Sequence, residues 1–336
     1  PSSAASRSGR SRSPVVPPTG ECKPFQEVLI ELGGRLKLPA FVRPDGTRDD
    51  TGQFCYVRDV DANQVWSVAY QPTQTTGSGY EAIFSAGRAE FRRRDDDLDT
   101  HVEIAVSPED DVELRRVSFS NNGATRKVLE LTSYAEVVLA AKGADAAHRA
   151  FSGLFVQTEI IEGQNAILAT RRARSASEKP PWMFHAMIPV AETTTAASFE
   201  TDRGAFLGRA GSPACPQGIE RATLGNSQGS VLDPCVAIRQ KVEIAPDQVA
   251  TVHIFTGVAE TRDAALALID KYRARHLAER VLELAWAHSQ VIQRRLDATN
   301  AEIRMWDQLA SHVVFSTPTL RAPKSIIAAN KMGQSG

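Results

Sequence analysis

The stretch LDTHVEIAVSPEDDVELRRVSFSNN, residues 98–122, decides the fold. Val102, Ile104 and Val106 alternate with polar neighbours, the period of two that sends successive side chains to opposite faces of a strand. SPEDD, 107–111, turns the chain, and Val112, Leu114, Val117 and Phe119 begin the return. The alternation slips at Arg115 and Arg116, which predicts a bulge or a change of face. Downstream, NNGAT supplies a turn, and KVLELTSYAEVVLA, 127–140, places Leu129, Leu131, Ala135 and Val137 on one side. Connections this short join antiparallel neighbours. FVQTEII, NAILATRR, MFHAMIPV, AIRQKVEIA and VATVHIFTGVA add further strands, more than ten in all. So many strands predict two stacked sheets over residues 48–260.

The pattern changes after Thr261, since no proline occurs between Pro246 and Pro318. Two helices are expected in a linker over 261–317, the first capped by the Thr261 hydroxyl and the second running roughly from 300 to 315. Ahead of the second helix, Leu277, Val281, Leu284, His288 and Val291 would form a packing stripe. Residues 1–47 form an atypical leader expected to be partly disordered. Arg7, Arg10 and Arg12 are not followed by the apolar run of a signal peptide.

Bulk composition excludes more than it selects. The chain has 336 residues, is 42% hydrophobic and 24% charged, and carries a formal net charge of -1, so no field favours nucleic acid or an anionic membrane. No apolar run nears the roughly 20 residues that cross a bilayer. Cys22, Cys55, Cys215 and Cys235 lack zinc spacing, the histidines lack a metalloprotease grouping, and no structural metal or cofactor is expected. Reduced thiols fit a cytoplasmic setting.

Longer segments go beyond periodicity. FCYVRDVDANQVWSVAYQP at 54–72, the run from Tyr80 to Asn121, DAAHRAFSGLFVQTE, ATRRARS, PPWMFHA and FETDRGAFLGR resemble the amino-terminal part of glycoside hydrolase family 94, formerly a glycosyltransferase family. The wording is most similar to the phosphorylase-like region of cyclic β-1,2-glucan synthases and to β-1,2-oligoglucan phosphorylases. The resemblance implies a galactose-mutarotase-like β-supersandwich, then linker helices, of which KYRARHLAERVLELAWAHSQV is one, then an (α/α)6 barrel. Residues 318–336 would be the truncated start of that barrel. It implies that the catalytic Asp and the groups binding inorganic phosphate, a substrate of the whole enzyme, lie in the barrel, so no residue here inherits a catalytic role. It also implies a β-glucan oligosaccharide, the barrel and a second copy of the chain as partners, and a parent that can be attached to the inner membrane through other regions.

Six residues stand out as carbohydrate-binding candidates. Arg58 and Asp59 read as an ion pair fixing a hairpin or as sugar contacts, and Asp59-x-Asp61 reads as an ordinary turn. Trp66 and Tyr70, beside the QPTQTTGSG loop, are either core packing or stacking faces for pyranose rings. Trp182, after two prolines and before His185, reads either as a stacking face in an exposed loop or as a buried side chain. The run Arg92–Arg94 followed by Asp95–Asp97 reads as a solvated turn. An aldose-epimerase-like enzyme is the alternative; it needs a His and Glu pair, for which His101, Glu103 and His185 are the nearest material. A purely structural or dimerisation fragment is the other.

Overall fold

The computed structural model describes residues 52–140, 145, 147–173, 175, 177–190, 195–209, 211–314 and 322–329; the leader 1–47 lies outside them. Thirteen strands fold in the order β1 (Gln53–Asp59), β2 (Gln64–Ser67), β3 (Gly79–Ser85), β4 (Arg88–Asp95), β5 (Leu98–Val106), β6 (Val112–Asn121), β7 (Lys127–Glu136), β8 (Val156–Ile161), β9 (Ala166–Arg171), β10 (Trp182–Pro189), β11 (Ser198–Asp202), β12 (Pro234–Ile244) and β13 (Val249–Ala259). Short helices α1 (Arg149–Gly153) and α2 (Arg203–Leu207) interrupt them. Beyond the strands come α3 (Arg262–Tyr272), α4 (Arg275–Arg295), α5 (Asn300–Val314) and α6 (Lys324–Ala329).

Two antiparallel sheets result, one of order β11-β12-β7-β1-β2 and one of order β3-β4-β5-β6-β13-β10-β9-β8. Their facing sides bury one core. The five-stranded sheet supplies Val57, Trp66, Leu129, Leu131 and Ile238, and the larger sheet supplies Val102, Ile104, Val117, Phe119 and Ile254. Each such side chain taken fully out of water contributes roughly 1.5–3 kcal/mol before conformational entropy is counted. A second core lies outside the larger sheet, where Val112, Leu114, Phe184 and Phe255 pack under Ile269 and Tyr272 of α3 and Val281 of α4. A third lies outside the smaller sheet, where Tyr56 and Tyr134 pack against Phe206, Ile219 and Leu224.

These three cores explain the slipped alternation. β6 pairs with β5 and β13 in continuous register, without a bulge. Val112 and Leu114 face the helices while Val117 and Phe119 face the other sheet, so the apolar side changes because both faces are covered at different ends.

The helical region departs from expectation in two respects. The first helix does start after Thr261, whose hydroxyl accepts from the Ala264 amide at 3.2 Å. It then breaks at Arg273–Ala274, so three helices, not two, fall within 261–317. The break follows an anchor: the Tyr272 hydroxyl donates to Asp110 at 2.6 Å and its oxygen lies 3.1 Å from the Ser107 hydroxyl, pinning the end of α3 to the β5–β6 turn. The face of α4 that packs is Ala278, Val281, Leu282 and Ala285, rotated from the expected stripe, and His288 and Val291 are exposed. No described helix is long and apolar enough to cross a membrane.

Candidate functional site

At one end of the outer face of the larger sheet the apolar side chains give way to polar ones. Antiparallel register lines up His101 of β5, Ser118 of β6 and Thr251 of β13 in one row, and Glu103, Arg116 and His253 in the next. Here α4 begins, and Arg275 and Glu279 of its first turns overhang the sheet. The result is an open cleft of about 220 Å³ lined by these residues and Val190.

The charges around the cleft form a lattice. Arg88 reaches Glu90 at 2.8 Å and Glu103 at 3.0 Å. Arg116 Nε donates to Glu103 at 2.6 Å, Arg92 pairs with Glu90 at 3.3 Å, and His101 Nε2 lies 3.0 Å from Glu90. The Glu90 carboxyl is held below the ordinary carboxylate range: burial would raise it, but the His101 hydrogen bond and Arg88 outweigh burial. Glu90, His101 and Glu103 bring three ligand atoms within 4.8 Å of one another, close enough for a metal ion. Three guanidinium groups already hold the two carboxylates, however, and would repel a divalent cation. His253 differs from its neighbours. It is 3% exposed and makes no hydrogen bond among the described residues; its ring meets Phe255 edge-on at 6.1 Å. Burial and Arg116 push its pKa down to about 4, so the imidazole is neutral near pH 7, with one donor and one acceptor nitrogen.

Of the residues singled out from sequence, His101 and Glu103 line this cleft, and the six carbohydrate-binding candidates do not. Arg58 and Asp59 are neighbours on β1 and do not pair with each other, because consecutive strand residues point to opposite faces. Arg58 donates to Asn63 at 3.1 Å and pairs with Glu130 at 3.5 Å. Asp59 is buried; it accepts from the amides of Asp61 and Ala62, at 3.0 and 2.9 Å, and pairs with Lys127 at 3.2 Å. The turn reading of Asp59-x-Asp61 matches this geometry. Trp66 lies in the central core, its indole N–H without a partner among the described residues. Tyr70 is half-buried. Trp182 is not in a loop: it opens β10, half-buried against the second core, with Thr170 and Ala259 as cross-strand partners. His185 is buried between the sheets, Nε2 at 2.8 Å from Ser133 Oγ and Nδ1 at 2.8 Å from Thr256 Oγ1. It therefore cannot join His101 and Glu103, which face outward from the other side of the sheet. The arginine run is likewise strand, not turn. Arg93 is buried and donates twice to Asp95, at 2.7 and 2.8 Å, and to the Thr75 carbonyl at 2.6 Å.

Arg116, His253 and Arg275 escaped the sequence reading. Alternation in VATVHIFTG does put Thr251 and His253 on one face. Only the order of strands brings that face beside β6 and, across it, into line with β5.

Comparison with known proteins places these observations. The model of the glycosyl hydrolase 94 supersandwich domain matches residues 38–275. The cyclic β-(1,2)-glucan synthase NdvB of Rhizobium meliloti (strain 1021) is 32% identical over 293 residues, 87% of this chain and 10% of the synthase. Solabiose phosphorylase of Paenibacillus borealis is 21% identical over 281 residues, 80% of this chain and 35% of the phosphorylase. N,N'-diacetylchitobiose phosphorylase of Vibrio furnissii is 21% identical over 220 residues, 65% of this chain and 26% of that phosphorylase. The chain thus spans about a third or less of the length of each of these relatives.

Proposed function

This chain belongs to the glycosyl hydrolase 94 supersandwich family, and from that premise we propose that it is the non-catalytic accessory domain of an inverting glycoside phosphorylase or a cyclic β-1,2-glucan synthase, contributing to recognition of β-linked glucan. The observation that carries the reading is the 32% identity to a cyclic β-(1,2)-glucan synthase across 87% of the chain. Among the described residues the helices are a few that follow a sandwich, with no six-hairpin barrel. Inversion at an anomeric carbon by phosphate requires a carboxylic acid to protonate the departing oxygen and a cationic pocket for the phosphate. In this reading a barrel elsewhere in the parent supplies both, and the sandwich packs against that barrel or a second copy. Tyr70 and Trp182, the two candidate aromatics that are only half-buried, are the stacking faces we assign to glucan.

An aldose-epimerase-like activity fits less well. That chemistry needs a carboxyl group free to exchange a proton, and both Glu103 oxygens are engaged, one by Arg88 and one by Arg116.

Calorimetric titration with linear β-1,2-gluco-oligosaccharides, beside cellobiose and with phosphate present, tests the proposal. Saturable binding without release of glucose 1-phosphate is the expected result. Turnover would overturn it, and absence of any glucan binding would leave a structural or dimerising role.

A further inference from the structure

The outer cleft has three properties that together specify a ligand. Its charges are balanced: Arg116 and Arg275 face Glu103 and Glu279. A phosphate or carboxylate entering would meet two carboxylates, and a divalent cation would meet two guanidinium groups, so ions of either sign are disfavoured. A hydroxyl group both donates and accepts, and adjacent hydroxyls can bridge an arginine N–H and a glutamate oxygen at once.

The cleft also holds an uncommitted polar group. His253 is 3% exposed, and its ring lines the cleft without a hydrogen bond to any of the described residues, so its one donor and one acceptor nitrogen remain for a ligand. Ser118 and Thr251, beside it, bond to each other at 3.0 Å and keep further hydrogen-bonding capacity. Finally, about 220 Å³ falls short of the roughly 300 Å³ at which clefts for drug-sized molecules begin, so one ring fits and a chain does not.

We infer that this cleft binds one neutral polyhydroxylated ring, a monosaccharide or the terminal unit of an oligosaccharide, with His253 and Thr251 at its floor and Arg275 and Glu279 at its rim. The inference rests on the proposed carbohydrate association for its choice of probe, and it assigns the ligand to a surface that none of the six sequence candidates occupies.

The test combines calorimetry with nitrogen-detected magnetic resonance of the His253 ring. D-glucose, linear β-1,2-gluco-oligosaccharides, inorganic phosphate and calcium chloride are each titrated into the chain. Arg275→Ala changes an exposed rim residue and leaves the cores intact. His253→Leu removes both ring nitrogens, and His253→Gln restores a donor and an acceptor, with thermal melts confirming that each variant folds. Glucose is expected to shift the His253 nitrogens. Arg275→Ala should weaken binding by about tenfold, the size of one lost charge-assisted hydrogen bond, while His253→Leu abolishes binding and His253→Gln recovers part of it. Glucan binding that is equal in all variants would overturn the cleft and leave the accessory role standing. Cleft-dependent glucose binding with no affinity for longer glucans would support the cleft and overturn the accessory glucan role. Phosphate or calcium shifting His253 where glucose does not, or no sugar reaching it, would overturn the ligand class.

Discussion

Replacing His185 by Gln removes a titrating group from the space between the sheets while keeping a donor and an acceptor for Ser133 and Thr256. Burial first, then the nearby Arg115, pushes the His185 pKa from its ordinary 6.5 to about 3. The sign follows from proton counting. Below pH 6.5 the unfolded chain takes up a proton that the folded chain refuses, so the stability contributed is complete above pH 6.5 and is lost as the pH falls toward 3. At pH 5 the difference spans one and a half pH units, about 2 kcal/mol. His253, held at about 4, loses about the same amount over this interval. Urea titrations at pH 8 and pH 5 should therefore show the parent chain losing about 4 kcal/mol from these two groups, and His185→Gln losing about half of that. Glu90 and Glu159, both held below their ordinary 4.5, add only a small loss by pH 5, the same in parent and variant. Equal losses in parent and variant would refute the reasoning.

Gly257→Ala should destabilise by about 1–3 kcal/mol, because a Cβ there would lie 2.6 Å from the Phe184 ring and 2.8 Å from the Asp111 carbonyl, neither able to retreat; denaturant midpoints measure it. Asp202→Ala should cost about 1 kcal/mol, since Asp202 Oδ1 accepts from the amides of Gly204 and Ala205 at 2.7 and 3.2 Å at the start of α2, and the same denaturant midpoints read the loss. A maleimide should modify Cys215 in the folded chain and reach Cys55 and Cys235 only on unfolding, because burial hides those thiols and pushes their pKa upward; peptide mass mapping reads the order.

The strands were legible because alternation is a local property. Val102, Ile104 and Val106 needed no knowledge of the partner sheet to be assigned to a core. The change of face within β6 was visible as a slip between Leu114 and Val117, but its cause, helices folding back from about 150 residues further along the chain, was not. The break between α3 and α4 carries no proline or glycine at Arg273–Ala274. It depends on Tyr272 and Lys271 meeting Asp110, a long-range contact that no window of sequence contains. The candidate aromatics and charges at 58–70 and 182–185 are consumed largely by packing and turn geometry. The cleft stayed hidden for a different reason. Its polar members come two each from three strands and a helix, and each pair alone reads as ordinary polar residues on a solvated face.

The shared guanidinium of Arg88 has a bearing on the history of this surface. Glu90 and Glu103 are both nearly buried, and each depends on Arg88 together with one further arginine. Losing Arg88 strands two carboxylates at once, so its effect is not the sum of two separate pairs. Positions 88, 90, 103 and 116 accordingly constrain one another as a set: a lineage that neutralises one must neutralise its counterparts, and substitutions there should travel together through related sequences, leaving a joint signature that no single position would display.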